Sequence, residues 1–316
     1  MKRRVQSAKN TCQLTFPPQW ISAIDFDNVL STANIEPHDS QTKEIIFKFQ
    51  SDTKILIDAA VQMLSLANQL IKKRKKVRMI FDGETNDGMG YLNRMGFFEE
   101  LNKKVKVDPN RPSVPLSKIY RGSNERILEI NPINPTKKNK RLPSLLASRL
   151  ANAETGVIDK KQLQDSAFTV FGELIDNVFQ HSSTKINGYA AFQVYTKNNT
   201  AKVVVSDSGR GILETLKPAL KRKRNQKYRG FSDTQLIVEM FKKGISRKGK
   251  NRGCGLKACA DEAIKYKADL RVRLNRCAVF LKPSGTKYVS NRNTTYGFNG
   301  LPLLKGTHIS FSFHLA

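Results

Sequence analysis

One stretch of the chain combines a long apolar run with polar side chains at a fixed interval. Residues Phe168–Gln180 are apolar enough and numerous enough for a helix, and Glu173, Asn177 and His181 recur at every fourth position. On a helix, this spacing places the three side chains along one face. Polar groups on so apolar a helix need hydrogen-bonding partners or a cavity. The pattern therefore predicts a helix that presents a carboxylate, an amide and an imidazole in one direction.

Two glycine-containing segments follow this helix. Asp207-Ser208-Gly209-Arg210-Gly211 comes after Ala201–Val205, a β-branched run, as expected where a strand turns sharply into a ligand pocket. Gly253-Cys254-Gly255-Leu256 leads into a helix expected over Leu256–Lys267, whose first backbone N–H groups are free to hold phosphate oxygens. In this order, the three segments indicate an ATP site.

The order and spacing of these segments resemble the GHKL (Bergerat-fold) ATPase superfamily, which groups gyrase, heat-shock chaperone, histidine-kinase and mismatch-repair ATPases. The resemblance covers roughly Leu142 to Ala316 and implies an α/β fold of the α+β sandwich type. It implies that Glu173 is the general base, that Asn177 binds Mg²⁺, and that Asp207 accepts a hydrogen bond from the adenine amino group. The remaining implied ligand contacts are Gly209 and Gly211 at adenine, Gly253, Gly255 and Leu256 at the triphosphate, and Thr307, which helps to fix adenine from a late strand.

ATP and Mg²⁺ are thus the implied cofactors, and a Mg²⁺-dependent ATPase is the implied activity. His181 is left out of the site, because a histidine at a helix end serves more commonly as a capping or packing group. The identity of the attacking oxygen stays open. With water, the protein is an ATP-hydrolysing switch that regulates a partner protein. With a protein hydroxyl, it is a serine/threonine kinase similar to the anti-sigma-factor kinases.

The first part of the chain has a different pattern. Glu44–Phe49 and Lys76–Phe81 are typical of strands, and Thr53–Lys73 between them has helical spacing, which predicts a βαβ unit. A further helix is expected over Asn86–Leu101. We therefore expect a small α/β domain over residues 1–108, whose topology resembles STAS-like domains, the anti-sigma-antagonist fold. Proline-rich residues 109–141 are expected to form a basic linker, and residues 142–316 the ATP-binding domain.

The net charge of +28 is unevenly distributed. Residues 101–150 carry twelve basic and three acidic groups, and residues 201–250 carry fourteen and four. The basic groups concentrate at Lys137–Arg141 and Lys221–Arg229, and in the GHKL family the segment before the last glycine pair is a mobile lid over the nucleotide. The excess suggests a nucleic-acid partner whose binding ATP would gate. A solvated basic surface explains the same composition equally well.

The location of the protein is predicted from what the chain lacks. No apolar run approaches the length that spans a bilayer, and Met1-Lys2-Arg3-Arg4 is not followed by a signal-peptide core. A cytoplasmic protein without membrane attachment is expected, and a homodimer stays open. The cysteines, Cys12, Cys254, Cys259 and Cys277, have no paired metal-ligand spacing and are predicted to be free thiols.

Overall fold

The computed structural model describes residues 10–33, 35–83, 86–153, 157, 159–181, 183–222, 226–228, 230–244, 255–284, 287–289 and 297–315. The chain divides into two compact units. The first contains Met1–Ser123 and Leu301–Leu304, and the second contains Asn124–Gly300 and Lys305–Ala316.

The first unit is an α/β domain built on a parallel sheet. Its four-stranded sheet has the order β1-β3-β5-β6, and a two-stranded sheet pairs β2 with β4, also in parallel. The strands are β1 Thr11–Phe16, β2 Trp20–Ile21, β3 Glu44–Phe49, β4 Lys54–Ile55, β5 Lys76–Phe81 and β6 Lys106–Asp108. The helices are α1 Ala23–Thr32, α2 Ile57–Lys72, α3 Asp87–Arg94, α4 Phe97–Glu100 and α5 Leu116–Ile119.

Sequence periodicity predicted the centre of this unit correctly. Strand β3, helix α2 and strand β5 form the expected strand-helix-strand unit, and alternate residues of both strands are buried. The inward side chains include stacked phenylalanines, with ring centroids 4.8 Å apart for Phe16–Phe49 and 4.6 Å apart for Phe49–Phe81. The helix expected over Asn86–Leu101 is instead two helices, because Gly96 adopts φ +79°, a left-handed conformation that ends a helix.

The second unit is an antiparallel sheet with its helices packed into one core. The strand order is β12-β11-β10-β14-β9-β8-β7, and β13 also pairs with β11. The strands are β7 Ile127–Ile133, β8 Gly188–Tyr195, β9 Thr200–Ser206, β10 Asp269–Leu274, β11 Cys277–Ser284, β12 Lys287–Val289, β13 Gly297–Asn299 and β14 Thr307–His314. The helices are α6 Leu142–Ala151, α7 Lys160–His181, α8 Ile212–Arg222, α9 Asp233–Lys243 and α10 Gly255–Lys265. None of the helices in the described ranges has both the length and the apolar character needed to cross a bilayer.

Helix α7 is the central helix of this core. It starts two turns before the predicted Phe168, and its buried side chains join alternate residues of β9, β10 and β14 in a single hydrophobic cluster. The rings of Phe171 on α7 and Phe311 on β14 pack edge to face, with centroids 6.3 Å apart. The next turns of α7, which carry the polar side chains singled out in the sequence, are thereby fixed over the sheet.

The proline-rich stretch contains a strand that the sequence did not indicate. Residues 109–141 were expected to form a linker, but Ile127–Ile133 pairs antiparallel with β8 and belongs to the sheet of the second unit. Pro132 is tolerated because β7 is the edge strand of the sheet in the part of the chain that the structure describes, and an edge strand can accommodate a residue without an N–H. The predicted linker is therefore wrong for residues 127–133, and also for Leu116–Ile119, which form α5 of the first unit.

The cysteines outside the glycine pair are buried free thiols. Cys12, Cys259 and Cys277 are all buried and unbridged, as the absence of paired spacing predicted. Burial raises the pKa of the Cys12 and Cys277 thiols to about 11, so both stay protonated at neutral pH. Cys254 lies outside the described residues.

Candidate nucleotide site

The C-terminal turns of α7 carry two of the predicted site residues. Leu174, Ile175 and Val178 are buried in the core, whereas Glu173 is exposed and Asn177 is half-buried. The two polar side chains therefore lie on the helix face that points away from the core, one turn apart. His181 is the last residue of α7, and its side chain lies outside what the structure describes.

Glu173 lies directly against the first residue of α10. A Cβ added at Gly255 would lie 1.9 Å from Oε1 of Glu173 and 2.2 Å from its Cδ, so only glycine leaves room for this carboxylate. One turn further along α10, the Cys259 thiol donates to the carbonyl oxygen of Val170 at 3.6 Å. Burial raises the pKa of Cys259, and the nearby charge of Glu173 raises it further. The base predicted on α7 thus meets the helix start predicted to hold phosphate.

The rest of the glycine pair is only partly described. Leu256 is half-buried and packs against the hydrophobic core, which fixes the first turn of α10. Gly253 lies outside the described residues, as do residues 245–252 of the predicted lid. Helix α9 before them ends at Gly244, which adopts a left-handed conformation and donates from its N–H to the carbonyl of Met240.

The predicted adenine acceptor, Asp207, is buried at the end of β9. Its side chain is 8% exposed, and both carboxylate oxygens accept backbone hydrogen bonds: Oδ1 from the N–H of Gly209 at 2.6 Å and Oδ2 from the N–H of Thr307 at 3.1 Å. The Thr307 side chain also hydrogen-bonds this carboxylate. Burial raises the pKa of Asp207 to about 6, although these hydrogen bonds oppose the shift. Asp207 is therefore ionised at neutral pH and keeps lone pairs for an amino group.

Two glycines allow the segments around Asp207 to approach each other. Gly306 has φ +107°, and a Cβ there would lie 2.0 Å from the carbonyl oxygen of Asp207. Gly211 has φ +80°, and a Cβ there would lie 3.0 Å from the carbonyl oxygen of Gly306. The loop after β9 and the start of β14 are thus in direct backbone contact, and Asp207, Gly209, Gly211 and Thr307 form one group.

The Asn177 turn and the Asp207 loop lie at the same end of the unit. A Cβ added at Gly188 would lie 2.8 Å from Cγ1 of Val178 and 2.5 Å from the carbonyl oxygen of Ser206. Val178 follows Asn177 in the chain and Ser206 precedes Asp207. The helix end that carries Asn177 is therefore packed against the strand end that carries Asp207.

Two further residues lie in this region, one from the basic cluster predicted at Lys137–Arg141 and one that the sequence did not indicate. Lys138 forms an ion pair with Asp176, with Nζ 2.6 Å from Oδ1, and so lies next to the Asn177 turn. Asn275, in the turn between β10 and β11, accepts from the N–H of Gly306 and donates to the carbonyl of Arg210. The cluster that contains Lys138 was predicted as a polyanion site, but its pairing with Asp176 was not, and Asn275 has no local signal because asparagine is an ordinary turn residue.

The donor set determines which metal ion could be held here. Within the described ranges, no group of three or more His, Cys, Asp and Glu side chains is placed to bind a metal. The amide oxygen of Asn177 is a hard, neutral donor of the kind that Mg²⁺ accepts, and Mg²⁺ usually completes its shell with water and substrate phosphates. Asn177 is therefore compatible with a Mg²⁺ ion that is bound together with a nucleotide.

Comparison with known protein families gives an independent result. Residues 162–316 match the family described as histidine kinase-, DNA gyrase B-, and HSP90-like ATPase. No curated protein matches the chain. The matched range contains Glu173, Asn177, Asp207, the glycine pair and Thr307. The resemblance drawn from the motifs is confirmed, and the C-terminal half of this chain is an ATP-binding domain of the GHKL type, in the histidine kinase-, DNA gyrase B- and HSP90-like ATPase family.

Proposed function

We propose that the protein hydrolyses ATP at this site and uses the nucleotide state to regulate a partner protein. The observation that carries the proposal is the contact between the Glu173 carboxylate and Gly255. It puts a candidate base beside a helix start, where backbone N–H groups favour phosphate. Phosphoryl transfer from ATP is supported by the match to a family of ATPases and kinases, by the candidate base Glu173, and by the adjacent helix start that favours phosphate.

In this proposal, Glu173 takes a proton from the attacking water. The water oxygen bonds to the γ-phosphorus, the bond to the β-phosphate oxygen breaks, and ADP leaves while the proton moves to the carboxylate. The N–H groups of the first turn of α10 stabilise the charge on the transferred group. When bound through Asn177, Mg²⁺ would neutralise charge on the phosphate oxygens.

Asp207 is the proposed adenine anchor. An ionised carboxylate in a buried position is a strong acceptor for an amino group, and two backbone N–H groups and Thr307 keep it in place. Guanine and hypoxanthine carry a carbonyl where adenine has its amino group. The site should therefore favour adenine nucleotides.

Regulation of a partner is proposed from the division of the chain. Every residue assigned to the nucleotide lies in the second unit, and the first unit is a separate α/β domain with its own core. Its resemblance to STAS-like domains stays a prediction. The first unit contributes none of the residues assigned to the nucleotide, which is consistent with a module that binds another protein.

A nucleic-acid gate is a second candidate, favoured by the Lys138–Asp176 ion pair. Lys137, Lys138, Lys140 and Arg141 are exposed, and this pair anchors their segment beside the Asn177 turn. A polyanion bound to the Lys137–Arg141 cluster would therefore lie close to the nucleotide. The other predicted cluster, Lys221–Arg229, lies mostly outside the described side chains.

The test compares Glu173→Gln with Asn177→Ala. Glu173→Gln keeps the size of the side chain but removes the base, so turnover should fall roughly 10²–10⁴-fold with nearly unchanged ATP affinity. Asn177→Ala should weaken ATP binding in the presence of Mg²⁺ and leave Mg²⁺-free binding unaltered. Phosphate release and calorimetric titration measure both effects.

Asp165→Asn is the matched control, since Asp165 is an exposed carboxylate two turns earlier on α7. It should keep wild-type turnover. Radiolabelled ATP separates the two acceptors: label released as free phosphate indicates an ATPase, whereas label on a protein hydroxyl indicates the serine/threonine kinase alternative. Wild-type turnover by Glu173→Gln would reject the proposed base.

A further inference from the structure

We infer that Asn275 is a positioning residue that makes the site select the amino group of adenine. It does so by fixing the two chain segments that hold the Asp207 carboxylate. This inference rests on the proposed role of Asp207, and its test is built to separate the two.

The side-chain amide of Asn275 uses its acceptor and both of its donors. Its Oδ1 accepts from the N–H of Gly306 at 2.9 Å. Its Nδ2 donates to the carbonyl oxygen of Arg210 at 3.1 Å and to Oε1 of Glu214 at 2.5 Å. One side chain in a hairpin turn therefore joins the start of β14, the loop after β9 and the first turn of α8.

These partners are the immediate neighbours of the groups that bind Asp207. Gly306 precedes Thr307, whose N–H donates to Oδ2 of Asp207, and Arg210 follows Gly209, whose N–H donates to Oδ1. Asn275 thus hydrogen-bonds a direct chain neighbour of each of the two backbone donors. If either segment moves, the carboxylate loses a hydrogen bond and its direction changes.

Asn275 is half-buried, and its three hydrogen bonds hold it in place. A Cβ added at Gly211 would lie 3.1 Å from Oδ1 of Asn275 and 3.0 Å from the carbonyl oxygen of Gly306, so the three groups fill this space together. The amide cannot move away without breaking the bonds to both segments. The position of Asp207 therefore depends on a side chain that itself need not touch the nucleotide.

The chemistry at this position requires an amide. An aspartate would keep an acceptor for Gly306 but would turn a carboxylate oxygen toward the carbonyl of Arg210 and the carboxylate of Glu214, which repel it. An alanine would remove all three bonds. Both Asn275→Asp and Asn275→Ala should therefore release the two segments, the first also by repulsion.

The experiment measures the affinity of the full chain for two nucleotides, ATP and purine riboside triphosphate, which lacks only the amino group. The wild type should bind ATP on the order of tenfold or more tightly than the analogue, because a hydrogen bond to a charged acceptor is lost. Asn275→Asp and Asn275→Ala should reduce this ratio by about fivefold or more, with the affinity for the analogue nearly unchanged.

Two further variants control the interpretation. Asn299→Asp changes an exposed strand asparagine whose amide donates to Oγ1 of Thr234 at 3.4 Å, away from the Asp207 loop, and it should keep the wild-type ratio. Adding Glu214→Gln to Asn275→Asp supplies a donor opposite the new carboxylate and should recover part of the ratio. Thermal melting shows whether each variant is folded. If Asn275→Ala does not fold, the nucleotide affinities of Asn275→Asp test the inference.

The possible outcomes are distinct. If Asn275 had a purely structural role, its substitution would lower the melting temperature and weaken the binding of both nucleotides equally. A wild-type affinity ratio in the folded Asn275→Asp variant would overturn the inference but not the role of Asp207. Equal affinity of the wild-type protein for the two nucleotides would overturn the role of Asp207, and the inference with it.

Discussion

The substitution Gly255→Ala should impair chemistry without a matching loss of stability. The added Cβ would lie 1.9 Å from Oε1 of Glu173, whereas non-bonded heavy atoms prefer about 3.5–4.0 Å, so the carboxylate must move by more than about 1 Å. Glu173 is exposed and can swing outward, at a cost of roughly 0.5–1.5 kcal/mol if the new rotamer is strained. Replacing glycine by alanine contributes in the opposite direction, with the helix-interior value of about 0.5–1 kcal/mol as the upper bound at Gly255, the first residue of α10.

These two terms nearly cancel, so the free energy of unfolding should change by less than about 1 kcal/mol. Turnover behaves differently, because a misplacement of about 1 Å can cost roughly 10²-fold in rate. Urea unfolding, calorimetric titration of ATP and phosphate release should therefore show wild-type stability, near-wild-type affinity and about 10²-fold slower hydrolysis.

Gly172→Ala is the matched control for this prediction. Gly172 precedes Glu173 on α7, and apart from its chain neighbours and the adjacent backbone of its own helix, no atom of the described residues lies within 4 Å of a Cβ added there, so turnover should stay at the wild-type rate. The double variant Gly255→Ala/Glu173→Ala should be no slower than Glu173→Ala alone, because the added Cβ then has no carboxylate to displace. Wild-type turnover by Gly255→Ala, or additive losses in the double variant, would refute the reasoning.

Two other predictions concern pH and salt. Because burial raises the pKa of Asp207 from 3.8 to about 6, the folded protein binds more protons than the unfolded chain between these values, and its stability should fall by at most about 3 kcal/mol as pH rises through this window. ATP affinity should instead rise as the pH increases through 6, because the carboxylate ionises. Asp207→Asn should remove the pH dependence of both stability and ATP affinity in unfolding and binding titrations. A pH dependence that persists in this variant would belong to another titrating group. If the Lys137–Arg141 cluster binds duplex DNA, log affinity should fall linearly with log salt by about 0.9 per phosphate contacted. The combined substitutions Lys137→Glu, Lys140→Glu and Arg141→Glu should make that slope shallower without changing ATP affinity. If the protein binds no duplex DNA at about 50 mM salt, the nucleic-acid gate is rejected.

Local pattern was sufficient for most of the elements. The βαβ unit, the strand before Asp207 and the helices that carry Glu173 and Gly255 all have an apolar period that matches their structure. Boundaries were less accurate, as in α7, where the polar residues of the first turns hide the helix start. Strand β7 was missed because proline, which normally excludes a strand, is acceptable at a sheet edge.

The residues of the candidate site could be proposed from the sequence only where a motif contains them. Glu173, Asn177 and Asp207 stand in segments whose spacing is informative by itself. Asn275 is not part of such a segment, because its hydrogen-bond partners are 31, 61 and 65 residues away in the chain. The fit of Glu173 against Gly255 is likewise a contact between two helices, which no single segment encodes.

The pairing of β7 with β8 limits how the nucleotide-binding half could be transplanted. The family match begins at residue 162, yet the sheet takes its last strand from residues 127–133, and Leu142, Leu146 and Leu150 of α6 are fully buried in the same core. A fragment that starts at residue 162 would lack both elements, so it would expose one edge of β8 to pairing with another chain and would expose the apolar side chains of α7 that pack against α6. A separately expressed form of this nucleotide-binding domain should therefore start at about residue 124, so the folding unit is longer than the range matched by the family.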